Sequence, residues 1–311
     1  MAYDIATINQ RAKSDPDGLA RECEEIFNNK VADAAAKIAE RIPKSRVVLL
    51  SGPSGSGKTT TAQKICDALE LIGIHAHSVS MDKYFMTPNP ETAPRTKDGE
   101  IDKESPYCMD IDLLNSHFEI LEHGEEVMIP HFNFKTQSQD LSRSTPLKLG
   151  KDEIVVFEGI HALNDMLAAS HPDAFKLYIS ARSDVERNGE VCFKRTWTRI
   201  MRRVVRDELF RGTDVAVTLR MWANVRRGEK QYISPFKFRA DILFDSSMEY
   251  EIPVMKIFAL RAFSRMPDDM ERIRELRSLL PVLNEFEEMD SESVSADSIL
   301  REFIGGGKYE Y

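Results

Sequence analysis

The chain has 311 residues, 42% of them hydrophobic and 30% charged, enough for one large α/β domain with extensions or for two modest domains. A formal net charge of −9 argues against wholesale nucleic-acid binding, which shows as a basic domain, so no nucleic-acid partner is expected and any basic site must be local. The amino end has no secretory pattern, no apolar run is long enough for a membrane span, and Cys23, Cys66, Cys108 and Cys192 lie far apart; the expectation is a cytoplasmic protein with inert thiols and no membrane contact.

Residues 17–42 read as helix, with Ile26, Val31, Ala34, Ala35 and Ile38 as its apolar positions, and residues 1–45 as a helical leader. After Pro43 come short β-branched runs: "RVVLLS", "HAHSVSMD", "DEIVVFEG", "FKLYIS" and "ADILFDSS". Helical patterns at 59–71 and 109–122 separate several of them. Strands alternating with helices predict an α/β fold over 46–260, a mainly parallel sheet sandwiched by helices. Residues 86–105, rich in Pro, Thr, Asn, Asp and Gly, read as a long irregular loop of the kind that is functional. From 261 to 311 the pattern turns helical again; its acidic patch "NEFEEMDSE" reads as a solvated face, and a glycine-rich end follows.

The most specific motif is G-x-x-x-x-G-K-T: Gly52, Pro53, Ser54, Gly55, Ser56, Gly57, Lys58 and Thr59, followed by Thr60, between a strand and a helix. Such a loop wraps backbone amides around a polyphosphate and adds the positive end of the following helix. Lys58 is therefore expected on the β- and γ-phosphates of ATP and the Thr59 hydroxyl on Mg2+. The same loop serves kinases, switches and motors, but no guanine-reading N/T-K-x-D motif and no paired acids after a strand accompany it. Ligands bind beyond the carboxyl ends of strands, where Asp82 and Glu158 stand; Asp82 suits the acceptor of a hydroxyl proton and Glu158 the metal.

"TRIMRRVVRDELFRG" holds five arginines. Arg199, Arg202, Arg203 and Arg206 share one side of a predicted helix, and Arg211 precedes Gly212, where that helix can end. Next to a phosphate loop this comb reads as an arginine-rich helical lid over the transferred phosphate.

These pieces resemble the P-loop kinases that include uridine kinase and phosphoribulokinase, through "GPSGSGKTT", "MDKYF", "ESPYCMD", "IPHFNFKTQS", "VVFEGIHALN" and "RRVVRDELFRG" in matching order. "FNFKT", "EGIHALN" and "SILREFIGGG" are similar to a bacterial nucleoside-kinase branch. The resemblance implies Asp82 as general base, Glu158 as magnesium support, and Arg203, Arg206 and Arg211 on phosphates as the working members of the lid, which leaves Arg199 and Arg202 as solvated neighbours. Glu104 falls where uridine kinases place an Asp on the ribose hydroxyls, and Tyr84 of the "MDKYF" motif is a further candidate acceptor contact. Uridine kinases read the base with a Tyr and a His after an Ile-Pro pair. After Ile129 and Pro130 this chain offers Phe132, which can stack, and Gln137, which can donate and accept.

The expectation is an ATP- and Mg2+-dependent kinase for a small-molecule hydroxyl acceptor, a pyrimidine nucleoside first, with homo-oligomers common in the family. Two alternatives stand: a kinase for another acceptor of phosphosugar or pantothenate type, and a nucleotide-binding regulatory or RNA-associated module without transfer.

Overall fold

Strand residues point alternately to the two faces of a sheet, and in this chain both faces are apolar. Val47 and Leu49 join one buried cluster while Val48 and Leu50 join the other. A strand hydrophobic on both sides needs helices above and below it, and that is the arrangement in the computed structural model. The structure describes residues 2–134, 136–266 and 274–310. Lys135 of the "FNFKT" motif, and residues 267–273 of the expected helical extension, lie outside the described residues.

Strand β1 (Ala2–Asp4) leads into helices α1 (Ile5–Ser14) and α2 (Pro16–Arg41). Strand β2 (Val47–Ser51), helix α3 (Lys58–Leu71) and strand β3 (Ala76–Ser80) follow. Next are α4 (Ile111–Glu122) and the short strands β4 (Val127–Ile129), β5 (Phe132–Asn133), β6 (Ser138–Gln139) and β7 (Thr145–Leu147). Then come β8 (Ile154–Glu158), α5 (Asp165–Ala168), β9 (Phe175–Ser180), β10 (Asp184–Arg187) and β11 (Glu190–Phe193). Helices α6 (Arg195–Phe210) and α7 (Val215–Gly228) precede strand β12 (Ile242–Asp245), and α8 (Glu251–Phe263), α9 (Arg274–Asn284) and the one-turn α10 (Arg301–Ile304) come last.

The central sheet runs β12-β9-β2-β8-β3, and every neighbouring pair is parallel. The carboxyl ends of β2, β3 and β8 therefore reach the same edge. Helix α6 ends at Phe210, and Gly212 takes φ +60° just beyond it, as the Arg-Gly pair predicted.

Two expectations are corrected. Ile26 is 49% exposed; α2 buries Leu19, Cys23, Phe27, Val31, Ala34 and Ile38, a stripe from which position 26 is turned away by one residue. That stripe packs in the same cluster as the sheet, with the Phe27 and Phe244 rings 5.3 Å apart edge to face. The acidic patch is not simply a solvated face either: Phe286 and Met289 within it are buried, and Glu288 pairs with Lys256 at 3.4 Å. The four cysteines are free thiols, and no helix among the described residues is long and apolar enough to cross a membrane.

Candidate functional site

The phosphate loop joins the carboxyl end of β2 to the start of α3. A Cβ on Gly52 would stand 2.1 Å from the Ile179 carbonyl oxygen, and one on Gly57, where φ is +82°, would stand 2.0 Å from Ile299. Gly57 is the N-cap of α3 and brings no side chain to cap it, so the first amides of the helix depend on a ligand or a neighbour. Ser56 Oγ is buried without a hydrogen-bond partner, and the Lys58 ammonium donates to the Pro53 carbonyl at a long 3.4 Å. An orphaned hydroxyl, an under-used ammonium and a helix start whose N-cap brings no side chain, around a glycine cradle, fit a polyphosphate.

Behind the loop, Arg199 Nε donates to the Ser54 carbonyl at 3.0 Å and Nη2 to Glu229 at 2.9 Å. Arg202 Nη1 donates to the Gly55 carbonyl at 3.2 Å, while Nη2 donates to the Ser246 carbonyl at 2.9 Å and to Glu251 at 2.7 Å. Both side chains are buried, Arg202 completely. They are therefore not the solvated neighbours that the family resemblance left them as. Helix α6 lies against the loop, and two of its arginines engage the loop carbonyls of Ser54 and Gly55.

At the strand ends, Thr59 Oγ1 donates to Glu158 Oε1 at 3.1 Å. Burial pushes the Glu158 carboxyl up to about 7, Lys58 opposing the rise and Asp82 adding to it. Burial likewise pushes the Lys58 ammonium down, against the pull of Glu158, Asp82 and Glu302. A hydroxyl and a carboxylate in contact beside the loop are a donor set that fits Mg2+. Asp82 stands in a tight turn, Met81–Tyr84, just after β3, its amide donating to Ser80 Oγ at 3.4 Å. Among the described residues, His75, His77 and Glu153 also bring ligand atoms together, but at the amino ends of β3 and β8, away from the loop.

Three of the arginines converge on the buried Asp207. Arg206 meets it at 3.0 Å, Arg203 at 3.4 Å and Arg211 at 3.7 Å. Arg203 Nη1 also donates to Ser54 Oγ at 2.8 Å, which ties α6 to the loop at a third point. Thr60 is fully buried, and its hydroxyl donates to Glu302 at 2.8 Å.

On the acceptor side the expected residues are not all brought together. Glu104 is held with its carboxyl pushed up by burial, while Arg203 opposes that rise and Asp102 adds to it. Tyr84 is turned away from the site: it is fully buried, bonds His117 Nδ1 at 2.8 Å through its hydroxyl and packs edge to face with Phe157, so its expected acceptor contact is corrected to a core role. Phe132 is buried between Phe85, at 5.7 Å between ring centroids, and Phe134, at 5.2 Å. Gln137 takes φ +54° in the turn between β5 and β6, and its amide donates to the Phe134 carbonyl at 2.6 Å. Sequence reasoning missed Asp102, 3% exposed, which takes Arg227 Nη2 at 2.7 Å and the Tyr232 hydroxyl at 3.4 Å. It also missed His161, fully buried with no hydrogen-bond partner for either ring nitrogen. Asp102 lies two residues from Glu104, which was a usable signal; nothing local marked Arg227 as its partner.

A family model described as "Phosphoribulokinase / Uridine kinase family" matches residues 47–253. Over 179 residues the chain is 32% identical to a uridine kinase of Schizosaccharomyces pombe, covering 58% of this chain and 35% of that protein. It is 28% identical over 195 residues to uridine-cytidine kinase-like 1 of Mus musculus, covering 62% of this chain and 32% of that protein, so it spans about a third of both relatives. Against a uridine kinase of Staphylococcus epidermidis the identity is 28% over 201 residues, covering 63% and 86%. A solved chain from Silicibacter sp. TM1040, provisionally described as a fructose transport system kinase, is similar with a TM-score of 0.51 and 19% identity, covering 69% of this chain and 98% of that one, which is a likeness of fold.

Proposed function

We propose, from the premise that the chain belongs to the phosphoribulokinase / uridine kinase family, that it is an ATP- and Mg2+-dependent kinase acting on a primary hydroxyl of a small metabolite, specifically the 5'-hydroxyl of a pyrimidine nucleoside. The observation that carries this reading is the Thr59–Glu158 contact at the phosphate loop, with Lys58 and Asp82 close enough to act electrostatically on Glu158.

Each group has work that its position allows. The loop amides, Ser56 and Lys58 orient the phosphates of ATP. Thr59 and Glu158 would hold Mg2+, whose charge would offset that of the phosphate oxygens when bound. Asp82 accepts the proton of the attacking hydroxyl as the oxygen–phosphorus bond forms. Arg203, Arg206 and Arg211 exchange Asp207 for phosphate oxygens and shield the transfer from water.

For the acceptor, the names of the relatives and the aromatic wall of Phe85, Phe132 and Phe134 favour a planar base, while Glu104 and Asp102 suit sugar hydroxyls. A sugar acceptor is the second reading. It is favoured by Gln137, one of whose amide N–H groups is already committed to the Phe134 carbonyl in its own hairpin. A panel of pyrimidine and purine nucleosides, phosphosugars and pantothenate, each incubated with MgATP and assayed by mass for a phosphorylated product, tests both. Product with uridine or cytidine is the expected result. Tight ATP binding with no product from any acceptor would instead mark a regulatory module.

A further inference from the structure

The segment 298–310 lies beyond the part of the chain matched by the family model, yet it is stitched to the phosphate loop. Ile299 fills the space that a side chain on Gly57 would need. Phe303 is fully buried beneath the Arg202 guanidinium, 5.2 Å from ring centroid to charge, and Lys308 bonds Asp67 of α3 at 2.6 Å. Between these anchors stands Glu302, 6% exposed. Its carboxylate accepts from Thr60 Oγ1 at 2.8 Å and from the Thr60 amide at 3.4 Å, and lies 3.8 Å from Arg206 Nη1.

These donors belong to the expected phosphate site. The Thr60 amide is in the first turn of α3, which has no side-chain cap of its own, and Arg206 is one of the lid arginines. A threonine hydroxyl has a single proton, and here Glu302 takes it. A phosphate arriving at Thr60 meets an oxygen lone pair and a carboxylate, and Glu302 also covers the fully buried Thr60. We infer that Glu302 is an internal anion that occupies the phosphate donors of Thr60 and draws on Arg206, so that nucleotide binding displaces it and its segment sets the affinity of the loop. The inference rests on the nucleotide site proposed above and concerns affinity, not the acceptor.

Calorimetric titration of a non-hydrolysable ATP analogue with Mg2+ onto wild type, Glu302→Gln and Glu302→Ala tests it. Removing the competing charge is expected to tighten binding on the order of tenfold in Glu302→Ala, with Glu302→Gln moving in the same direction. Equal or weaker binding in both variants overturns it and makes Glu302 a support of the loop. Because Glu302→Ala removes an acceptor of the Thr60 amide and can cost folding, amide exchange on the wild-type protein is the second measurement. The analogue should speed exchange across residues 298–304, and unchanged or slower exchange there also overturns the inference. The affinity order is read whether or not any acceptor is phosphorylated, so failure of the kinase reading and failure of this one are separate results.

Discussion

Asp82 and Phe132 divide the proposed chemistry into a proton and a surface. On the proposed mechanism Asp82 takes the proton of the attacking hydroxyl, and an amide there keeps the shape but cannot accept it. Asp82→Asn is expected to lower kcat by about a hundredfold or more while the Kd for ATP, measured by calorimetry, stays within about threefold. Phe132 touches no phosphate-loop residue in its ring contacts; it packs on Phe85 and Phe134. Stacking of a base on an aromatic ring is worth about 1–3 kcal/mol, so Phe132→Ala should raise the KM for a nucleoside by about tenfold and leave the KM for MgATP unmoved. A steady-state matrix varying each substrate separates the two effects.

At the scale of elements, helix α6 is one helix with two jobs. Arg199 and Arg202 hold the carbonyls of the loop, and Arg203 and Arg206, with Arg211 at its end, gather on Asp207. Breaking a buried ion pair costs about 3–5 kcal/mol, so Arg202→Ala, which strands Glu251, should lower stability by that order in urea unfolding. Arg211, half exposed, should cost less than about 1 kcal/mol on truncation to alanine yet lower kcat. Much of this helix was legible: its period, its end at the Arg-Gly pair and its place after Glu158 are local signals. The loop and the strand ends were legible for the same reason, since a motif and a period of two need no partner. Which arginines face inward was not legible, because that depends on Ser54, Gly55, Glu229 and Glu251 brought in from other elements. Tyr84 was misplaced for a similar reason, its hydroxyl being claimed by His117, which lies 33 residues away in the chain.

For the whole molecule, pH reads out burial. His161 is fully buried, and burial pushes its imidazole down to about 4, whereas in the unfolded chain it titrates near its ordinary value of about 6.5. Between those values the unfolded chain binds a proton that the folded one refuses, so this group's contribution to stability falls as pH drops through the window. Glu158, pushed up to about 7, acts in the opposite sense, its folded form keeping a proton that the unfolded chain gives up. The comparison of wild type with His161→Gln isolates the first effect: between about pH 6.5 and 4 the wild type should lose up to ~1.4 kcal/mol per pH unit more than the variant. Unfolding titrations at a series of pH values measure it.

The bond from Thr60 to Glu302 spans 242 residues of chain, and Asp67 waits almost as long for Lys308. Contacts this distant in sequence form late, after the intervening chain has been ordered. During synthesis, the ribosome therefore releases a stretch that already holds the phosphate loop, its strand and its helix, but not the carboxylate and the isoleucine that close over them. If Glu302 is the internal anion proposed above, the growing chain passes through a stage in which the loop is present without it, and its avidity for polyphosphate should then differ from that of the finished fold.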